Sequence, residues 1–120
     1  MREIKLTVLM EVDGRPQFGF DPFIRRLMVD EITGLVVSEL SPGSPSNLPV
    51  SDLITDPRFI LVHANGSPVT LYPNSTDVTP LVVNPGGLLL LFDVTLLNGG
   101  PRLSNESENA IPVDTFLGGS

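Results

Sequence analysis

The stretch that most narrows what this 120-residue chain can fold into is Asn84-Pro85-Gly86-Gly87, followed by Leu88-Leu89-Leu90-Leu91-Phe92-Asp93-Val94-Thr95-Leu96. The Pro-Gly pair stops whatever precedes it, and the run behind it holds only Asp93 and Thr95 as polar residues. A membrane-spanning helix needs about 20 apolar residues, and a strand with one wet face would be less apolar than this. Read as a strand, the run places Leu88, Leu90, Phe92, Val94 and Leu96 on one face and Leu89, Leu91, Asp93 and Thr95 on the other. The first face is assigned to an internal core. The Leu89 and Leu91 end of the second then needs a cover, supplied by the chain itself or by a neighbouring subunit.

Length gives a single domain, residues 1–120, large enough to bury a core without metals or crosslinks. There is no cysteine and one histidine, His63, which excludes disulfides, thiolate nucleophiles, zinc-thiolate sites and His-rich metal sites. Seven basic residues against fourteen acidic ones give a net charge of −7. The basic residues are scattered apart from Arg25-Arg26, so a surface that tracks phosphates, and with it nucleic-acid binding, is not expected. Neither is attachment to an anionic membrane. Leu6 to Met10 is too short an apolar patch, and too soon followed by Glu11 and Asp13, to read as a secretory signal. Synthesis in the cytoplasm is the expectation.

Twelve prolines and eleven glycines punctuate short runs of Val, Leu, Ile, Thr and Phe, the pattern of an all-β domain. Ile4, Leu6, Val8, Met10 and Val12 alternate with Lys5, Thr7, Leu9 and Glu11 as a first strand with one buried and one mostly wet face, ended by Asp13-Gly14-Arg15-Pro16. Residues 21–34 allow two readings. Asp21-Pro22 with helically spaced Phe23, Ile24, Leu27, Met28 and Ile32 suits one short helix near residues 22–33. The favoured reading is a hairpin of Phe23–Asp30 and Leu35–Leu40, because the β-branched second run needs an antiparallel neighbour. Ser41 to Leu53 is a long polar connection. Arg58–Ala64 is a strand with both faces largely apolar, Asn65-Gly66 signals a hairpin turn, and Pro68–Tyr72 returns. Asp77–Val83 is a short strand that Pro80 marks as an edge or bulge. Arg58–Ala64 and the Leu88 run form a central pair. The last strand, Ile111–Leu117, puts Ile111, Val113 and Leu117 on one face and Asp114 and Phe116 on the other. About seven or eight strands with frequent turns suit an antiparallel β-sandwich of the jelly-roll or immunoglobulin-like kind.

Sites are scarcer. His63 lies within an apolar strand with no second His or Cys to join it, so it is read as a structural histidine with one hydrogen-bond partner. Asp13, Asp21, Asp30, Glu31, Asp52, Asp56 and Asp77 are turn carboxylates, and no spacing selects two of them as a glycosidase pair or several as a calcium loop. No nucleophile signature accompanies His63. Asn65-Gly66-Ser67, Asn74-Ser75-Thr76 and Asn105-Glu106-Ser107 fit the glycosylation pattern but read as polar turns. The absence of Trp and a single Tyr, Tyr72, leave little for stacking a sugar. No catalytic residue, metal ligand or cofactor is expected, and the chain is read as a non-enzyme.

Several features of the second half resemble small virion structural proteins of tailed bacteriophages. They are the polar run ending Leu53-Ile54-Thr55-Asp56-Pro57, the apolar strand into Asn65-Gly66-Ser67-Pro68-Val69-Thr70-Leu71, Asn84-Pro85-Gly86-Gly87 before its leucine-rich strand, and a last strand after an Asn/Ser loop. The likeness covers roughly Leu48 to Ser120. It implies a capsid decoration or head or tail accessory protein, located in the virion. Such a protein works through contacts with its own copies, with a major capsid protein or with another virion component. Leu89, Leu91, Phe59 and Leu61 are the interface candidates. The alternative is a module binding a carbohydrate or host receptor through the Ser41–Leu53 or Ser104–Asn109 loops.

Overall fold

The computed structural model of the chain describes residues 1–17, 23–43, 46–47, 54, 56–72, 79–95 and 102–120. Those residues are all-β, with no helix among them. In chain order the strands are β1 (Arg2–Val8), β2 (Glu11–Val12), β3 (Arg15–Pro16), β4 (Phe23–Val29), β5 (Glu31–Ile32), β6 (Val36–Leu40) and β7 (Ser46–Asn47). There follow β8 (Pro57–Ala64), β9 (Val69–Tyr72), β10 (Leu81–Val83), β11 (Leu88–Phe92), β12 (Arg102–Ser104) and β13 (Ile111–Gly119).

The main sheet runs β11-β8-β13, with β6 and β5 sharing the far side of β13; a second sheet runs β10-β9-β12-β7, and all pairings are antiparallel. The two pack face to face through Ile60, Val62 and Ala64 of β8, Ile111, Val113 and Leu117 of β13, and Val69, Leu71, Val83 and Leu103 from the second sheet. Alternation explains the choice: on β8 and β13 these are alternate residues, so one face of the main sheet is hydrocarbon but for Thr115. Burial of each large side chain contributes about 1.5–3 kcal/mol.

A third layer, which the sequence patterns did not reveal, is the β1–β4 ribbon, in register from Arg2 opposite Val29 to Val8 opposite Phe23. Its Ile4, Leu27 and Val29 cover the other face of the main sheet around Phe59, in a smaller core shared with Ile32, Leu61, Leu90, Phe92 and Phe116. Phe59 is its centre, meeting Phe92 and Phe116 edge-on at ring-centroid distances of 5.9 and 5.4 Å.

Several expectations change. The helix alternative near residues 22–33 gives way to β4 and β5. Both strands of the favoured hairpin exist, yet they do not pair with each other: β4 joins β1 and β6 joins β13. The first strand stops at Val8, leaving Met10 and Val12 exposed rather than on a buried face. Asp13 and Gly14, at φ of 52° and 77°, instead close the small β2–β3 hairpin as a primed turn. Asn65-Gly66 does not close a hairpin either. Both edges of β8 are taken by β11 and β13, so the chain crosses to the other sheet, where β9 pairs with β10 and β12.

Asn84-Pro85-Gly86-Gly87 brings it back. Asn84 O accepts the Gly87 N–H at 2.7 Å with Gly86 at φ 79°, a type II turn with Pro and Gly where that turn requires them. Ala64 ties the two crossings together. Its carbonyl accepts the N–H groups of Gly66 and Gly86, at 3.1 and 2.7 Å, and its own N–H donates to Gly87 O at 3.0 Å. β11 does pair with β8, Leu88 opposite His63 through Phe92 opposite Phe59, but the central pair is β8 and β13, with β11 at the edge. β10 is likewise an edge, as Pro80 implied.

Thr115 is fully buried between Val62 and Val36, and its hydroxyl has no partner. Valine has nearly the same shape without the unsatisfied group, so Thr115→Val should raise stability by about 1–2 kcal/mol. The check is a higher urea midpoint at unchanged slope.

Candidate functional site

Three places gather polar or charged side chains. The first is the outer face of the main sheet at the end the ribbon leaves open, where β8 and β13 set His63 directly opposite Asp114. The His63 ring Nδ1 and Asp114 Oδ2 are 2.9 Å apart; the histidine is 37% exposed and the aspartate 13%. Asp114 Oδ1 has no partner. The neighbours in register on the same face are Leu88 and Val37, and the next row holds Leu61, Leu90 and Phe116. No hydroxyl side chain occupies those register positions, and Asp114 is the hydrogen-bond partner of His63 among the described residues. Among the described residues no three His, Asp or Glu side chains converge as a metal site requires.

The second place is a cavity of about 340 Å³ where the ribbon overhangs the end of β11, lined by Leu6, Phe23, Arg25, Arg26, Phe92 and Asp93. Two phenyl rings and a leucine form its apolar part. The charged rim is internally engaged. Arg25 lies 4.1 Å over the Phe23 ring and donates to Ile24 O at 2.8 Å, Arg26 pairs with Glu3 at 2.7 Å, and Asp93 pairs with Arg58. Asp93 takes a φ of 55° as β11 ends, which directs the chain away after Phe92. Arg25 and Phe23 on neighbouring alternations of a strand gave no sequence signal for this cavity, because it depends on where the ribbon docks.

The third place is the polar loop after β12. Asn105 is buried, and both ends of its amide are used. Nδ2 donates to Leu40 O at 2.9 Å and Asn109 O at 2.7 Å, while Oδ1 accepts from the Ser107 N–H at 2.9 Å and the Ser107 hydroxyl at 2.6 Å. That is the loop's own scaffold, and it leaves Asn105 inaccessible as a glycosylation acceptor. Asn65 is exposed in its turn. Asn74 and, within the Ser41–Leu53 connection, residues 44–45 and 48–53 lie outside the described residues.

Of the four interface candidates only Phe59 is buried, and the other three are half-buried against the chain's own cores. Leu89 and Leu91 pack against the core between the two sheets, Phe59 is 6% exposed at the centre of the smaller core, and Leu61 packs beside it. The two faces of the Leu88 run are therefore assigned the other way round. Leu89 and Leu91 face the second sheet, Leu90 and Phe92 face the ribbon, and Leu88 is 59% exposed. Val94 lies past the end of β11, and Leu96 is outside the described residues.

No helix among the described residues is long and apolar enough to cross a membrane. Comparison of the chain with protein-family models, with curated proteins and with solved structures finds no match.

Proposed function

We propose that the chain is a non-enzymatic structural subunit of a larger assembly, acting through contacts with its own copies or a neighbouring shell protein. One observation carries this reading: the outer face of the main sheet keeps large apolar side chains exposed beside the His63–Asp114 pair. Leu35, Val37 and Leu88, at 64%, 67% and 59% exposure, stand around the half-buried Leu61, Leu90 and Phe116. Exposed hydrocarbon gathered on one face of a folded domain in this way marks a surface built to be covered. The resemblance of the Leu48–Ser120 segment to tailed-phage virion components supports placing that assembly in a virion, as a decoration or head or tail accessory protein. Mass photometry and sedimentation of the purified chain test the reading. Oligomers at micromolar concentration are expected, and a monomer up to about 100 μM, where contacts of millimolar Kd would begin to register, would remove contacts between its own copies and leave a heterologous shell partner as the form of the proposal still to be tested.

A second reading, a binding module for a carbohydrate or host receptor, draws support from the Phe23–Phe92 cavity alone. A glycan array without hits, together with oligomers in solution, removes it.

A further inference from the structure

We infer that the free edge of β11 is where two copies of this chain join, by antiparallel strand addition about a two-fold axis at Leu90. The inference rests on the assembly reading and names its first contact.

Hydrogen bonds flanking β11 fix its parity. Gly87 O accepts from Ala64 N–H, and Asp93 N–H donates to Arg58 O at 2.8 Å, so odd-numbered residues turn their backbone groups toward β8. In an antiparallel ladder each residue points both groups the same way, which leaves those of Leu88, Leu90 and Phe92 directed outward. No strand among the described residues pairs with that side.

Natural edges are blunted with proline, lysine, bulges or extreme shortness. Three other edges show such devices: β10 follows Pro80, β6 carries Glu39 and starts just after Gly34 at φ 71°, and β7 spans only Ser46–Asn47. β11 has none of them.

Charge selects the occupant. The chain carries −7, so two copies repel wherever their carboxylates meet. From Thr79 to Phe92 there is no charged side chain, and Asp93 beyond it is paired with Arg58. β10, joined to β11 by the type II turn, forms the edge of the second sheet on the same flank and adds exposed Leu81 and Val82. A two-fold axis at Leu90 sets Leu90 opposite its own copy, Leu88 opposite Phe92, and Leu89 opposite Leu91. About six backbone hydrogen bonds form, and hydrocarbon continues across the joint on both faces of the sheet.

The test uses the whole chain with Leu88→Lys, which places a charge on an already exposed position, and Leu90→Pro, which removes an outward N–H that no internal bond uses. Unaltered chain should form even-numbered oligomers, and each variant should raise the dimer Kd at least roughly tenfold. Amide exchange supplies the second readout. The Leu90 and Phe92 amides should gain protection as the unaltered chain is concentrated, while those of Leu89 and Leu91, already bonded to β8, stay protected throughout and report the fold. Oligomers with unchanged mass in both variants, and Leu90 exchange independent of concentration, would overturn the edge contact and leave the assembly reading standing. A monomeric unaltered chain would overturn the edge contact and restrict the assembly reading to a heterologous shell partner.

Discussion

Gly119→Ala is expected to cost about 2–3 kcal/mol, read as a fall in urea midpoint, although the substitution adds one methyl group. A Cβ at Gly119 would run into the Asp56 carbonyl oxygen and lie 2.9 Å from both the Asp56 carbonyl carbon and Pro57 Cα. Those atoms are backbone, held in place because Asp56 N–H donates to Ser120 O at 2.9 Å and Ser120 N–H to Asp56 O at 3.2 Å. The ladder between β13 and β8 shifts register at this point, between Gly118 and Gly119, and the close approach depends on the missing side chain. Gly118 is the internal control. Its Cβ would meet the tip of Ile4 at 2.7 Å, a flexible end that can move aside, so Gly118→Ala should cost about 1 kcal/mol. Equal losses at the two positions would show that Asp56 and Pro57 yield as readily as a side chain does.

Ile60→Ala should be the most damaging of the single core truncations, at about 3–4 kcal/mol. Ile60 is fully buried on the central strand β8, flanked in register by Leu91 on β11 and Leu117 on β13, and its side chain belongs to the core between the sheets. Removing its outer carbons leaves a cavity on a strand paired on both sides, where the backbone cannot readily collapse inward. Leu88→Ala, on the same sheet but 59% exposed, should change stability by no more than about 0.5 kcal/mol. Denaturant unfolding of the two variants side by side measures the difference. A loss below about 1 kcal/mol at Ile60 would mean that the sheets are not packed as described.

Alternation is local, and what it governs was legible. The faces of β13 came out as read, Ile111, Val113 and Leu117 inward, and β11 lies beside β8. Pairing across long separations was not. Val36–Leu40 carries the same pattern whether it joins Phe23–Val29 or β13, and only the whole sheet decides. The same gap explains the inverted faces of β11. Both are apolar, and which meets the second sheet depends on the direction in which Asn84–Gly87 carries the chain. The ribbon over Phe59 is a third layer assembled from segments with one apolar face each, which by themselves could close any sandwich. Of the candidate site, His63 read correctly as a singly bonded histidine, whereas its partner Asp114 lies far along the chain and no motif links them.

The position of β13 bears on the order of events in folding. This strand holds β8 on one side and β5 and β6 on the other, and every one of those contacts bridges a long stretch of sequence. The entropy of closing such loops must be met before the contacts repay it, so the chain belongs with slow-folding β proteins, on the scale of milliseconds to seconds. Until β13 docks, β8 keeps an open flank and β6 has no partner. The interval before that docking is when a crowded population of new chains is most exposed to pairing in the wrong register.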